Sequence, residues 1–333
     1  MARPTSTAPN RYRFGAVEVC SDIRLTGYER YQAAENKPQL SVTVRRSPPP
    51  ITGRLLGRCH GRHGLLEIRD GPDGSRMIAA EGLAPYTLHP DATVTWHLTD
   101  EPTADDTDFL VSTILPRTLT TMPGAAVLHA ASLVGPHGAV LLCGPSGAGK
   151  STLSMALHHH RGWHVFGDDA AVIRLDDGRP VVLSCSREVR LWTDAGDLLG
   201  MGAGIPLPRY GSKSRHPVAE PATEPAQVVA VVQLVDPAAA PPITIINRSP
   251  AVWSSPHTGV SLVRLRAADG IAALRSSLMR LAVMSLPEAA GEFTFLTSWS
   301  RTVTFTALRY PPTPEALIDA MAALSTLAGN PRT

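Results

Sequence analysis

The sequence predicts a β-rich α/β protein, with a smaller, mostly antiparallel β domain followed by a larger domain built around a phosphate-binding loop (P-loop). Two observations predict this class. The first hundred residues contain short alternating segments that are rich in β-branched residues and separated by turn residues. Further along, a glycine-rich loop stands between an apolar strand and a helical segment.

The composition excludes several classes of protein. With 43% hydrophobic and 18% charged residues among 333, the chain is able to bury a core in one large or two modest domains, and global disorder is excluded. A net charge of only +2 argues against binding nucleic acid through its phosphates. No apolar run reaches the roughly 20 residues of a membrane helix, and the start of the chain lacks the apolar core of a signal peptide. We therefore expect no nucleic-acid partner, no membrane partner and a cytoplasmic location.

Turn chemistry and apolar spacing divide the chain into four parts. We expect residues 1–11 to form a flexible tail and residues 12–100 a β-rich N-terminal domain with strands at 12–19, 40–44, 65–69, 77–80 and 93–98. Residues 101–122 begin with N-cap chemistry and continue with apolar residues at helical spacing, which predicts a bridging helix or linker. Residues 123–333 form the P-loop domain. Whether the first domain recognises a substrate or is purely structural stays open.

In the second domain the pattern predicts neighbouring buried strands, a hairpin and several helices. The expected strands are 127–134, 139–143, 163–166, 182–192, 228–235 and 242–247, and the hairpin lies around Asp176-Asp-Gly. The expected helices are 150–160, 267–283 and 313–328.

The segment Gly144-Pro-Ser-Gly-Ala-Gly-Lys-Ser-Thr matches G-x-x-x-x-G-K-[ST] without a mismatch. The glycines let consecutive backbone amides point inward at a helix N-terminus, where they bind phosphate. The lysine of this motif reaches the β- and γ-phosphates, and the serine ligates Mg²⁺. The predicted nucleotide-binding residues are Gly144, Ser146, Gly147, Ala148, Gly149, Lys150, Ser151 and Thr152.

An acidic pair follows at the end of the next apolar strand, Trp163-His-Val-Phe-Gly-Asp-Asp. A nucleoside triphosphate site needs a carboxylate at a strand end to hold Mg²⁺ or its waters. Neighbouring residues on a strand face opposite ways, so Asp168 and Asp169 are able to divide two tasks. Close carboxylates also raise each other's pKa, which suits a general base. The alternative is an acidic pair that merely forms a turn.

The remaining sequence disfavours the common nucleotide-binding classes. The guanine-reading N-K-x-D motif and the L-S-G-G-Q motif of transporter ATPases are missing. The hairpin after Asp169 disfavours the strand–helix alternation of Ras-like and RecA-like sheets.

The loop, the Gly167-Asp-Asp strand end and the upstream Leu128-His-Ala together resemble the catalytic domain of HPr serine kinase/phosphorylase and the nucleotide core of ATP-dependent phosphoenolpyruvate carboxykinase. With the β-rich first half and an Arg190-Leu-Trp-x-Asp-Ala segment, the layout looks most like the HPr-kinase-related proteins of lasso peptide biosynthesis clusters. The likeness spans about residues 125–310.

The resemblance implies transfer of the ATP γ-phosphate to a serine hydroxyl, with Mg²⁺. Asp168 is then the base, and Ser151 and Asp169 serve the metal, although the two aspartates are able to exchange these roles. His129 matches the family histidine beside the phosphates; its other interpretation is a histidine packed on a buried strand. The chain lacks the family's glycine-rich signature after the acidic pair, so the HPr protein as acceptor, the hexamer and the reverse reaction are not implied. A homo-oligomer stays open.

Extra positive charge near the γ-phosphate favours transfer. The weaker candidates are Arg187 and Arg190 on the strand after the hairpin, Lys213 and Arg215 in a polar loop that resembles one in the related kinases, and Arg280 on a late helix. Each has the alternative of an ordinary solvated charge.

The function favoured by the sequence is an ATP-dependent serine kinase whose partner is a peptide with an acceptor serine, such as a lasso peptide precursor. A kinase of a small metabolite or amino acid is one alternative. A nucleotide-binding switch that transfers nothing is another, and the acidic pair argues against it because a switch needs no acceptor base.

Overall fold

The computed structural model describes residues 10–33, 40–47, 53–61, 64–120, 122, 124–218, 224–235, 251–280 and 286–327. The chain divides into two compact units. The first is Met1–Pro123 with Arg280–Val283, and the second is Gly124–Met279 with Met284–Thr333. Within the described ranges, no helix is long and apolar enough to span a membrane.

The first unit is built on an eight-stranded sheet in the order β1-β2-β3-β8-β7-β6-β5-β4. Its neighbours are antiparallel, except that β3 runs parallel to both β2 and β8. The strands are β1 (Asn10–Phe14), β2 (Val17–Ser21), β3 (Leu40–Ser47), β4 (Leu55–Gly61), β5 (Gly64–Asp70), β6 (Arg76–Ala80), β7 (Tyr86–Leu88) and β8 (Thr93–His97).

The start of the chain differs from the expectation in two ways. The single strand predicted at 12–19 is two strands, because Gly15 takes a φ of 64° and turns the chain between β1 and β2. The predicted tail 1–11 is shorter, since Asn10 and Arg11 already pair with β2. The other nine residues of that tail lie outside the described residues.

A helical segment follows β8, as the spacing predicts. It consists of α1 (Ala104–Phe109), a π-helical turn (Leu110–Ile114) and α2 (Leu115–Leu119). Thr103 begins it with a capping box, in which its side chain accepts the Asp106 amide and the Asp106 carboxylate accepts the Thr103 amide. The apolar side chains at helical spacing are buried: Phe109, Leu110, Ile114, Leu115 and Leu119.

The second unit contains a ten-stranded sheet in the order β12-β10-β11-β18-β14-β13-β9, with β21, β20 and β19 branching from β18. The strands are β9 (Ala125–Leu128), β10 (Ala130–Gly135), β11 (Gly138–Cys143), β12 (His164–Gly167), β13 (Ala171–Asp176), β14 (Arg179–Leu183), β18 (Ala226–Val235), β19 (Ala251–Ser255), β20 (Val260–Arg264) and β21 (Thr304–Arg309). A separate three-stranded sheet has the order β15-β17-β16, from β15 (Glu188–Trp192), β16 (Ile205–Pro206) and β17 (Lys213–Pro217).

Strand β18 organises the larger sheet. It runs parallel to β11 on one side and to β21 on the other, and its apolar run reads as a strand buried on both faces. The strand predicted at 228–235 is therefore confirmed, while the one predicted at 242–247 lies outside the described residues.

The predicted hairpin joins β13 to β14. Asp177 and Gly178 both take positive φ, 47° and 73°, which matches the turn type that suits a tight hairpin. Because β14 then pairs antiparallel with β18, this half of the sheet lacks the strand–helix alternation of a Ras-like or RecA-like sheet.

The helices of the second unit are α3 (Lys150–Arg161), α4 (Thr193–Leu198), α5 (Ala267–Ser277), α6 (Leu286–Ser298) and α7 (Pro314–Leu327). The helix predicted at 267–283 ends earlier, at Ser277, so Arg280 lies beyond it and not on a helix. The helix predicted at 313–328 is confirmed as α7.

Two strand predictions and one loop prediction are corrected in the second unit. The segment 182–192 is two strands, and Arg187 lies in the bend before β15 while Arg190 lies on it. Lys213 and Arg215 lie on strand β17 and not in a polar loop. The segment 127–134 breaks at His129, because β9 pairs with β13 while β10 pairs with β11 and β12.

Candidate functional site

The phosphate loop lies between β11 and α3, as predicted, with Lys150 as the first helical residue. Gly144, Gly147 and Gly149 have φ values of 145°, 87° and 87°, which residues other than glycine rarely adopt. At Gly149 an added Cβ would also collide with the hydroxyl of Tyr310. The loop conformation therefore requires glycine at the positions where the motif places it.

The ammonium of Lys150 is held at the start of this loop. Its Nζ donates to the carbonyl oxygens of Gly144 at 2.8 Å and Pro145 at 3.1 Å. The residue is only 4% exposed. Because a buried ammonium is costly without partners, these carbonyls stabilise its charge.

His129 links this lysine to the acidic pair. Its backbone amide donates to the Ser277 carbonyl at 2.6 Å, and its ring Nδ1 lies 3.1 Å from the carbonyl oxygen of Asp169. A carbonyl only accepts, so Nδ1 carries the proton and Nε2 is an acceptor, which lies 3.5 Å from Lys150 Nζ. The half-buried ring thus lies between the lysine and the acidic pair.

Asp168 is the buried member of the acidic pair, at 3% exposed. Its Oδ2 accepts the backbone amide of Arg190 at 2.9 Å. Burial, and then the charge of Asp169, raise the pKa of Asp168 to about 6, although the Arg190 amide, the Ser151 hydroxyl and the Lys213 ammonium lower it. Its Oδ1 is buried and makes no hydrogen bond to any described residue. This oxygen is therefore left to accept a proton or another donor.

Asp169 and Ser151 are more accessible than Asp168. Both side chains are half-buried, and Asp169 follows Asp168 in a bend after β12. Carboxylate and hydroxyl oxygens are ligands that Mg²⁺ prefers. The donor set formed by Ser151 and the two aspartates therefore fits Mg²⁺. The described residues contain no cluster of three His, Cys, Asp or Glu side chains that could hold a metal ion, so Mg²⁺ here would need further ligands from a nucleotide or from water.

The three-stranded sheet brings a buried group of cations to Asp168. Arg190 on β15 lies directly opposite Arg215 on β17, and the side chains of both are buried together with Lys213. Two like charges in direct cross-strand register destabilise a sheet. Glu188 offsets this repulsion, since its carboxylate pairs with Arg215 at 3.2 Å, both side chains being under a tenth exposed.

Hydrogen bonds and charge interactions connect several of the predicted residues. Lys150 contacts His129, which in turn contacts Asp169. Asp168 interacts with Ser151, Arg190 and Lys213. Arg187 precedes β15, and its carbonyl accepts the Val218 amide at 3.0 Å. Arg280 groups with the first unit, so no position relative to the loop follows for it.

Two residues of this region were missed by the sequence reasoning. Glu188 could have been found from alternation, because it lies two residues before Arg190 and so on the same face of the strand. Tyr310 donates its hydroxyl to the Gly149 carbonyl at 3.1 Å across 161 residues of sequence. Nothing in the local pattern around Tyr310 indicates this contact.

Comparison with known proteins gives little beyond this geometry. No protein-family model matches the chain, and no curated protein sequence matches it. A solved structure of the Hpr(Ser) kinase/phosphatase from Coxiella burnetii is similar at 15% identity with a TM-score of 0.29, over 60% of this chain and 96% of that one.

Proposed function

We propose that this chain is an ATP-dependent serine kinase that phosphorylates a ribosomally made peptide, with a lasso peptide precursor as the first candidate acceptor. The observation that carries the proposal is the buried Asp168 beside the phosphate loop, with one oxygen that no described residue satisfies. Burying such a carboxylate costs stability, and perturbed carboxylates of this kind cluster at functional sites. A nucleotide switch that transfers nothing needs a carboxylate for Mg²⁺ but no second one to act as an acceptor base.

The loop supplies the binding of the triphosphate. Its amides lie at the N-terminus of α3, where the helix dipole also favours negative charge. Lys150 adds a positive charge at the start of the loop, where its ammonium donates to two backbone carbonyls. His129 accepts from this ammonium and so orients it towards the acidic pair.

Phosphoryl transfer then involves one proton transfer, one bond that forms and one bond that breaks. Oδ1 of Asp168 takes the proton of the seryl hydroxyl, the seryl oxygen forms a bond to the γ-phosphorus, and the bond from that phosphorus to the bridging oxygen breaks, which releases ADP. With a pKa of about 6, Asp168 is ionised near neutral pH and is still more basic than an ordinary carboxylate. Ser151 and Asp169 would hold Mg²⁺, which would supply neutralising charge for the phosphates.

The cations of the three-stranded sheet support this step. The Lys213 ammonium lowers the pKa of Asp168, and the Arg190 backbone amide fixes the orientation of the Asp168 carboxylate. Fixed positive charges near a transferring phosphoryl group stabilise the transition state, because they need no rearrangement as charge develops. The ion pair with Glu188 keeps Arg215 in one geometry for this purpose.

Intact-mass spectrometry tests the proposal. Serine-containing precursor peptides encoded next to this gene are incubated with the protein, ATP and Mg²⁺. We expect the mass of one phosphate to be added by the wild type and not by Asp168→Asn, a variant that keeps the shape of the side chain. Asp176→Asn removes an exposed carboxylate of the β13–β14 hairpin in the same unit, and it should act like the wild type.

The outcomes separate the alternatives. Transfer by Asp168→Asn at the wild-type rate would exclude Asp168 as the base. If MgATP binds but no peptide gains a phosphate, the acceptor is a small molecule or the protein is a nucleotide switch. If MgATP does not bind, the phosphate-loop assignment itself is wrong.

A further inference from the structure

We propose that Tyr310 is a positioning residue for the phosphate loop, and that its hydroxyl fixes the direction of the Lys150 backbone amide. The inference rests on the proposed nucleotide site. Tyr310 lies outside the sequence motif, and we expect its hydroxyl to raise the affinity of that site for nucleotide. Tyr310 follows β21 directly, and its side chain is buried in the same apolar cluster as side chains of α3 and α7.

The contact is to the last carbonyl of the loop. Tyr310 Oη donates to the Gly149 oxygen at 3.1 Å, and the Leu153 amide donates to the same oxygen at 2.9 Å as the first hydrogen bond of α3. A carbonyl oxygen has two lone pairs. Both are therefore used, one by the helix and one by the residue that follows β21.

This pair of bonds fixes a whole peptide plane. The carbonyl of Gly149 and the amide N–H of Lys150 belong to the same planar trans peptide, so they point in opposite directions. Donors that hold the carbonyl towards the helix and Tyr310 therefore hold the N–H towards the loop interior. This amide is one of those expected to bind the phosphates.

The steric arrangement reinforces the hydrogen bond. Gly149 has a φ of 87° and presents its bare Cα to the Tyr310 hydroxyl, since a Cβ there would collide with it. At the other end of the loop, a Cβ on Gly144 would lie 2.9 Å from the Leu234 carbonyl oxygen of β18. The first residue of the loop thus lies close to the carboxyl end of β18, and the last glycine of the loop lies close to the residue after β21. These two strands run parallel to each other.

The test is Tyr310→Phe, which keeps the buried ring and removes only the hydroxyl. Binding of MgATP and of inorganic triphosphate to the full chain is measured by calorimetry, and KM and kcat where transfer is detected. We expect affinity for both probes to fall by about three- to tenfold, as for one lost hydrogen bond, with KM for ATP raised and kcat unchanged. Tyr86→Phe is the matched control, because Tyr86 is also buried and donates to the Asp106 carbonyl at 3.2 Å in the first unit.

Each result decides the inference. If the wild type binds MgATP and the Tyr310→Phe variant binds it equally well, the inference is overturned and the proposed function stays intact. Wild-type protein that does not bind MgATP would overturn both. A Tyr310→Phe variant that fails to fold, or a Tyr86→Phe variant that loses the same affinity, would assign Tyr310 a purely structural role and overturn the positioning role.

Discussion

Replacing Asp168 by asparagine should make the protein more stable at neutral pH while it removes phosphoryl transfer. The wild-type carboxylate is buried, and its Oδ2 accepts the Arg190 amide, while its Oδ1 makes no hydrogen bond to a described residue. An asparagine keeps an oxygen for that amide and places a neutral NH₂ where Oδ1 was. The variant therefore avoids burying a charge without losing the hydrogen bond.

The magnitude follows from the pKa. Folding raises the pKa of Asp168 from its ordinary 3.8 to about 6, a shift of about two units that corresponds to roughly 3 kcal/mol. Below about pH 4 the carboxyl is protonated in both states and costs nothing. Between the two pKa values the folded state keeps a proton that the unfolded state releases, so stability falls as pH rises. Above pH about 6 the full cost is present.

Urea unfolding of both proteins from about pH 4 to about pH 8, with a chelator present, measures the difference. We expect Asp168→Asn and the wild type to match at the acidic end, and the variant to be more stable by about 1–3 kcal/mol at the neutral end. Asp176→Asn, an exposed carboxylate in the same unit, should stay within about 0.5 kcal/mol of the wild type throughout.

The reasoning is refuted if Asp168→Asn is less stable than the wild type at neutral pH. It is refuted equally if the two proteins differ by a constant amount across the pH range, since the cost of a buried carboxylate must disappear when the carboxyl is protonated.

Two other substitutions probe the surroundings of the loop. Lys150→Met should weaken MgATP binding by at least about tenfold, because a charge-assisted contact to phosphate is lost; unchanged affinity in calorimetry would contradict the loop assignment. Glu188→Gln leaves the buried charge of Arg215 without its carboxylate and should destabilise the protein by about 3–5 kcal/mol in urea unfolding. Glu67→Gln, whose pair with Arg58 is more exposed, should cost no more than about 1 kcal/mol, and a similar loss in both variants would show that burial is not the cause.

The elements found from sequence are those whose signals are local. The phosphate loop needs glycine at positions of positive φ, so Gly144, Gly147 and Gly149 mark it directly. The turn at Asp177 and Gly178 marks the hairpin for the same reason. Apolar residues at helical spacing located the helical segment in front of β9, because one face of it is buried. A continuous apolar run located β18, because that strand is buried on both faces.

The parts that were missed depend on partners far away in sequence. A sheet formed with β15 converts the polar run around Lys213 and Arg215 into a buried strand, and no property of that run alone indicates burial. The break at His129 arises because β9 and β10 pair with different strands. Local pattern predicts a continuous strand there, and tertiary pairing overrides it.

The dependence of the loop on β18 and β21 has a consequence for the order of folding. Strand β11 and the loop precede both parallel neighbours in the chain, and the hydroxyl that holds Gly149 arrives 161 residues later. Contacts of such long sequence separation form slowly, because loop closure must precede the gain from pairing. A nascent chain that has produced the whole motif thus still lacks a finished phosphate site until β21 has docked. Nucleotide affinity should accordingly appear among the last events of folding, and bound nucleotide would stabilise only the completed domain.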